Sequence, residues 1–284
     1  MKTSFRALIA SLVLASAASL FAAETKISPP DGASVVIPRA KQYDITSKIN
    51  GRTYRVFVST PFRAEEGKKY PVIYLLDGNW YFGPASINAT ESSVPAIVVG
   101  IGYPTDDNRE LGSRRGFELT ISRETADKDD TVHGGGGAFL RFLSEEVKPF
   151  IASHYAVDPA RQVLYGKSLG GLMVLHQLFT DPTAYSTYIA ASPAISRNDR
   201  EVLKGEAAFS RRVQAGELNL RILITVGGTE TTGPMIPNAS ELATRLAALN
   251  PEKVKVTYNV IPDENHVLVS LASIGRALGY IQKP

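Results

Sequence analysis

Short apolar runs alternate along this chain with segments of helical spacing, and the two periods can be read in order. Tyr43–Ile49 and Thr53–Ser59 alternate apolar and polar residues around Asn50-Gly51, which predicts an antiparallel hairpin at a sheet edge. Val72–Leu76, Ala96–Val99, the run ending at Gly166, Tyr188–Pro193 and Leu220–Val226 are continuous apolar runs, the pattern of strands buried on both faces. Val254–Ile261 alternates like a strand. Helical spacing marks Ala138–His154, Leu169–Phe179, Asp199–Ala215, Met235–Leu249 and Ala272–Ile281. Apolar strands separated by helix-length segments predict an α/β fold. The central sheet is mainly parallel, helices cover both faces, and an antiparallel pair closes one edge.

Patterning stops from Tyr103 to Gly137. This stretch carries Arg109, Arg114, Arg115, Arg123, the acids of Asp127–Asp130 and the glycines 134–137. Two readings stand for it, a mobile cover beside the active site with the glycine run as its flexible end, or a solvated surface loop. At the N-terminus, Lys2 and Arg6 precede an uncharged stretch, Ala7–Ala23, and Ala22 and Ala23 offer a cleavage site just before Ala23 or Glu24. This is the layout of a secretory signal, too short in its apolar core for a membrane span. The predicted organisation is a signal peptide over 1–23 and one α/β domain over 24–284, exported to a periplasm or secreted, without stable membrane insertion.

Composition narrows the chemistry. The chain has 31 Lys+Arg and 28 Asp+Glu, and removing Lys2 and Arg6 with the signal leaves 29 against 28. Such a balance gives no electrostatic case for a nucleic-acid partner. With no cysteine in 284 residues, disulfides, thiol nucleophiles and thiolate metal sites are excluded. No metal site or other cofactor is expected.

Between the strand ending at Gly166 and the helix opening at Leu169 lies Gly166-Lys167-Ser168-Leu169-Gly170, a G-x-S-x-G turn. Small residues there let a strand reverse into a helix and lift the serine hydroxyl above the sheet edge. Ser168 is therefore the candidate nucleophile. A hydroxyl needs a base, and of the four histidines His266 has the matching position, after the last strand and before the final helix. His133 sits in the unpatterned stretch, His154 at a helix end and His176 on the helix behind Ser168. Glu230, after the Leu220–Val226 strand, is placed to orient the base, with Asp263 as its competitor. Donors for an oxyanion are the backbone N–H groups of Leu169 and Asn79. Asp77-Gly78-Asn79 also reads as a plain β-turn.

Leu76-Asp77-Gly78-Asn79, Val99-Gly100-Ile101-Gly102-Tyr103, Arg115-Gly116-Phe117-Glu118-Leu119-Thr120, the G-x-S-x-G turn with Gly171-Leu172, Ala191-Ser192-Pro193 and Glu264-Asn265-His266 occur in this order. Together they resemble the esterase-D-like branch of the α/β hydrolases, and within it the bacterial trilactone siderophore esterases that open enterobactin-type rings. The resemblance spans roughly residues 40 to 282 and implies a serine carboxylic-ester hydrolase without cofactor, acting on a small-molecule ester such as a ferric catecholate siderophore. It implies that Arg115 faces the substrate, beside Trp80 and Lys167; an Arg115–Glu118 pair tying down the loop is the structural alternative. Lys167 stands where the family commonly has histidine, and Glu118 where it has aspartate. Relatives in the same branch act on simple or carbohydrate esters or transfer acyl groups. A non-catalytic binding protein on a hydrolase scaffold is the reading from another class.

Overall fold

The computed structural model describes residues 35–122, 133–231 and 233–282. Eight strands, β1 (Ala40–Thr46), β2 (Thr53–Ser59), β3 (Tyr70–Leu76), β4 (Ile97–Gly102), β5 (Val157–Lys167), β6 (Thr187–Ala191), β7 (Leu220–Gly227) and β8 (Val254–Ile261), form one sheet. Their order is β1-β2-β4-β3-β5-β6-β7-β8. β1 and β2 pair antiparallel, β2 runs antiparallel to β4, and every pairing from β4 to β8 is parallel. This is the mainly parallel sheet with an antiparallel edge pair that the run pattern predicts, in the arrangement that the resemblance to α/β hydrolases implies. All residues of β3, β4 and β6 are buried, as strands covered on both faces must be.

Two apolar layers sandwich the sheet. On one face, α1 (Gly78–Glu91) and α9 (Val269–Gln282) pack Phe82, Ala85, Ile274 and Leu278 onto Ile73, Val98, Tyr165 and Leu223. On the other lie α2 (Asn108–Glu118), α3 (Gly136–Phe142), α4 (Lys148–His154) and α5 (Leu169–Thr180). They are joined there by α6 (Arg197–Arg200), α7 (Glu206–Gln214) and α8 (Met235–Ala247). The alternate residues Val72, Tyr74, Leu76 and Leu164 meet that second layer.

Four expectations are corrected. The hairpin is not a two-residue Asn-Gly turn. The ladder ends at Thr46↔Thr53, and Ser47–Arg52 form a longer loop in which Gly51 takes a positive φ of 71°. Glu146 draws that loop away from the strand direction by accepting hydrogen bonds from Ser47 Oγ and the Lys48 and Ile49 amides. Second, the unpatterned stretch holds a full helix, α2, started by the Asp107 side chain accepting from the Arg109 and Glu110 amides. Its apolar stripe is thin because only Leu111 and Glu118 are buried, and Glu118 is held by polar partners. Third, Gly135 and Gly136 are packing positions. A Cβ at Gly135 would sit 2.3 Å from the Phe117 ring, and one at Gly136 2.6 Å from Met173 and from the Thr120 carbonyl. The acids of Asp127–Asp130 and Arg123 lie outside the described residues, as does the predicted signal segment. Fourth, Asp199–Ala215 is broken: Asn198, Asp199 and Arg200 have positive φ, and a 3-10 turn (Glu201–Gly205) precedes α7. Ala138–His154 stays helical throughout, with one π turn over Leu143–Val147 between α3 and α4.

Among the described residues no helix is long and apolar enough to cross a membrane.

Candidate active site

At the carboxyl end of β5 the chain reverses into α5 within one residue. Ser168 holds φ 58° and ψ −115°, a conformation that costs about 1–3 kcal/mol and persists only where neighbours enforce it. Its own N–H donates to the Ala191 carbonyl at 2.9 Å, and its carbonyl accepts from Leu172 (2.9 Å) and Ala194 (3.1 Å). Gly166 has no room for a side chain, since a Cβ there would fall 2.3 Å from the Gly170 carbonyl oxygen. A Cβ at Gly171 would likewise fall 2.9 Å from Pro193 Cα. The reversal leaves Ser168 Oγ turned toward the loop after β8.

His266 is on that loop, and its Nε2 lies 3.1 Å from Ser168 Oγ. Its Nδ1 lies 2.9 Å from Glu230 Oε2. Glu230 is 7% exposed and is fixed by further donors: the Gly227 N–H reaches Oε1 at 2.7 Å, and the Ser192 hydroxyl donates to the same oxygen. Burial raises the Glu230 carboxyl, but the hydrogen bonds from His266, Ser192 and Gly227 outweigh it and hold the group below its ordinary range. A carboxylate on Nδ1 leaves Nε2 of a neutral ring as an acceptor facing the hydroxyl. The structure thus brings together Ser168, His266 and Glu230. Asp263 has no part in this line; it occupies a positive φ of 62° in the turn after β8. His133 pairs with Arg197, His154 stacks on Phe150, and His176 is on α5 behind the elbow.

Asn79 lies in the first turn of α1, and the plain-turn reading of Asp77-Gly78-Asn79 gives way to a helix start. Asp77 takes a left-handed φ of 57°, and its carbonyl accepts from Trp80 and Tyr81. The Asn79 side chain accepts from the Tyr103 N–H at 2.7 Å and donates to the Tyr103 and Thr105 carbonyls. The amides of Asn79 and Leu169 both belong to first helical turns, where N–H groups have no intrahelical acceptor. That leaves both free to meet a developing anion.

Arg115 departs from the expected alternative. Its Nε donates to Asp77 Oδ1 at 2.8 Å, its Nη2 to the Lys167 carbonyl at 3.3 Å, and its guanidinium sits 5.7 Å from the Trp80 ring centre. Glu118 is instead held by Arg114 (3.3 Å), Arg52 (3.7 Å) and the Tyr54 hydroxyl. The Arg115–Glu118 pair that was the structural alternative does not form, because the helix turns the two side chains to different neighbours. With Asp77, Asn79, Tyr103 and Leu111, Arg115 and the half-exposed Trp80 line a narrow recess. Asp77, the anchor of Arg115, and Ser192, the donor to Glu230, went unassigned in the sequence. Their signal was their place in two of the quoted motifs, Leu76–Asn79 and Ala191–Pro193.

Sheet order, strand-to-helix elbow and a Ser–His–Glu hydrogen-bonded line define a protein of the α/β-hydrolase class. A profile of the family described as putative esterase matches residues 47–273, and the chain belongs to that family of carboxylic ester hydrolases. It is 34% identical over 263 residues to the ferri-bacillibactin esterase BesA of Bacillus subtilis, covering 87% of this chain and 91% of that protein. The apo-salmochelin esterase of Escherichia coli is 25% identical over 80% of this chain and 74% of its own. Among solved structures, the BES protein from Bacillus cereus superposes with a TM-score of 0.80 at 32% identity, covering 89% of this chain and 99% of that one.

Proposed function

We propose that the chain hydrolyses the ester bonds of a siderophore, a ferric catecholate trilactone being the favoured substrate, through a covalent intermediate on Ser168. The observation that carries the reading is the continuous path from Ser168 Oγ through His266 to the buried Glu230 carboxylate. Supporting it are the names of the similar proteins, which act on siderophores.

In this mechanism Ser168 Oγ attacks the ester carbonyl carbon while its proton passes to His266 Nε2. Glu230 holds the ring in the tautomer that can accept the proton and stabilises the imidazolium that results. The carbonyl oxygen becomes an oxyanion facing the Leu169 and Asn79 amides. Collapse expels the alcohol oxygen, which takes the proton from His266, and leaves an acyl group on Ser168. Water then repeats the sequence: it gives its proton to His266, adds to the acyl carbon, and Ser168 leaves with that proton. Arg115, cationic and anchored by Asp77, stands beside Trp80 where it can meet anionic oxygens of the bound ester. Residues 1–23 direct export, so the reaction takes place in the periplasm.

A serine-reactive phosphonate tests the assignment. It should add one equivalent of mass to the wild type, mapped to the Ser168 peptide, and none to Ser168→Ala. Failure to label, with the protein folded, would favour the non-catalytic scaffold.

A further inference from the structure

Lys167, the residue before the nucleophile, ends β5 with a side chain the hydrolytic steps do not use. The residue is only 7% exposed and makes no side-chain hydrogen bond or ion pair among the described residues. Its surroundings are not apolar. Arg115 Nη2 lies on the Lys167 carbonyl, while Asp77 and Glu230 are its acidic neighbours. Both Glu230 oxygens are already taken, by Gly227 and Ser192 on one side and His266 on the other. Asp77 gives one oxygen to Arg115 and keeps the other, Oδ2, without a partner. Burial and the Arg115 charge push the Lys167 ammonium below its ordinary range, and the two acids only partly offset this. The Nζ at the end of this mostly buried side chain keeps contact with solvent and has no acceptor among the described residues, so an anionic ligand oxygen that reaches it gains a charge-assisted hydrogen bond.

We infer that Lys167 is a specificity residue: its ammonium takes an anionic oxygen carried by the ester close to the scissile carbonyl, next to the Arg115 guanidinium. The inference rests on the ester-hydrolase reading and deepens it by naming an anionic ester as the substrate class. It differs from a structural role, in which Lys167 would only neutralise Asp77 Oδ2.

The test compares meta-acetoxybenzoate with its neutral counterpart meta-acetoxybenzamide on the full chain, following phenol release by wild type, Lys167→Gln and Lys167→Arg. Lys167→Gln should lower the anionic-to-neutral ratio of kcat/KM by about tenfold or more, mainly through KM, the scale of one charge-assisted hydrogen bond. Lys167→Arg should restore much of the ratio. If both esters slow together and the ratio stays put, Lys167 is a structural partner of Asp77 and the inference falls. If the wild type turns over neither ester, the hydrolase reading fails by itself, and binding still decides about Lys167. Trp80, the only tryptophan in the sequence, provides the fluorescence signal. In a Ser168→Ala background, Lys167→Gln should weaken meta-acetoxybenzoate binding about tenfold or more; equal affinity would overturn the inference.

Discussion

Burial by itself raises the Glu230 carboxyl, yet hydrogen bonds from three donors hold it below its ordinary range. Because its folded-state value lies below the ordinary 4.5, it adds stability that is fully present above that pH and is lost as pH falls through the lower folded value. Replacing it by Gln should therefore destabilise the protein more at pH 7 than in acid, as urea denaturation at both pH values would reveal. The same substitution removes the acceptor that fixes the His266 tautomer and should lower kcat by about 10⁴-fold. Ser168→Ala should cost about 10⁴-fold or more in kcat with little change in thermal stability, measured by ester turnover and calorimetry. At this scale the sequence was readable where chain order constrained it: Ser168, His266 and Glu230 converge as their places in the strand–loop series imply. Beyond their place in two motifs it assigned no role to Asp77 and Ser192, because what makes them matter is contact across 38 residues in each case, to Arg115 and to Glu230.

The elements show what local pattern can and cannot say. β3, β4, β6 and β7 were legible because a strand buried on both faces has no choice but to be apolar. α2 was not, because its inward side is a polar network in place of an apolar stripe. Tyr54 on β2 donates to Glu118, while the Arg114 guanidinium lies 4.7 Å from the Tyr103 ring and Arg52 4.2 Å from Phe117. The hydrogen bond from Tyr54 joins β2 to the helix that carries Arg115. Tyr54→Phe leaves a buried Glu118 oxygen without its donor and should cost about 1–3 kcal/mol in denaturant titrations. It should also raise KM for anionic esters, as Arg115 loses its fixed helix. The elbow is less tolerant. Gly166→Ala drives a methyl group into the Gly170 backbone, so stability should fall by about 1–3 kcal/mol or more and turnover should fall with it.

For the whole molecule, one sheet order places the ends of β3, β5, β7 and β8 around a common cleft, so residues 79, 168, 230 and 266 meet although they span most of the chain. The hairpin loop length was misjudged because Glu146, which holds the loop, lies far along the chain, and the break before α7 because the positive φ of Asn198, Asp199 and Arg200 leaves no mark on apolar spacing. Export can be checked separately: protein recovered from the periplasm should begin at Ala23 or Glu24 by N-terminal sequencing, and retention of Met1 there would contradict a cleaved signal. The most direct test of the account is product analysis by mass spectrometry after incubation with a ferric enterobactin-type trilactone, beside p-nitrophenyl butyrate as a simple ester. The account predicts that the wild type opens the siderophore ring with a kcat/KM well above that for the simple ester, and that Ser168→Ala opens neither. An intact siderophore beside rapid turnover of the simple ester, or ring opening that survives Ser168→Ala, would contradict it.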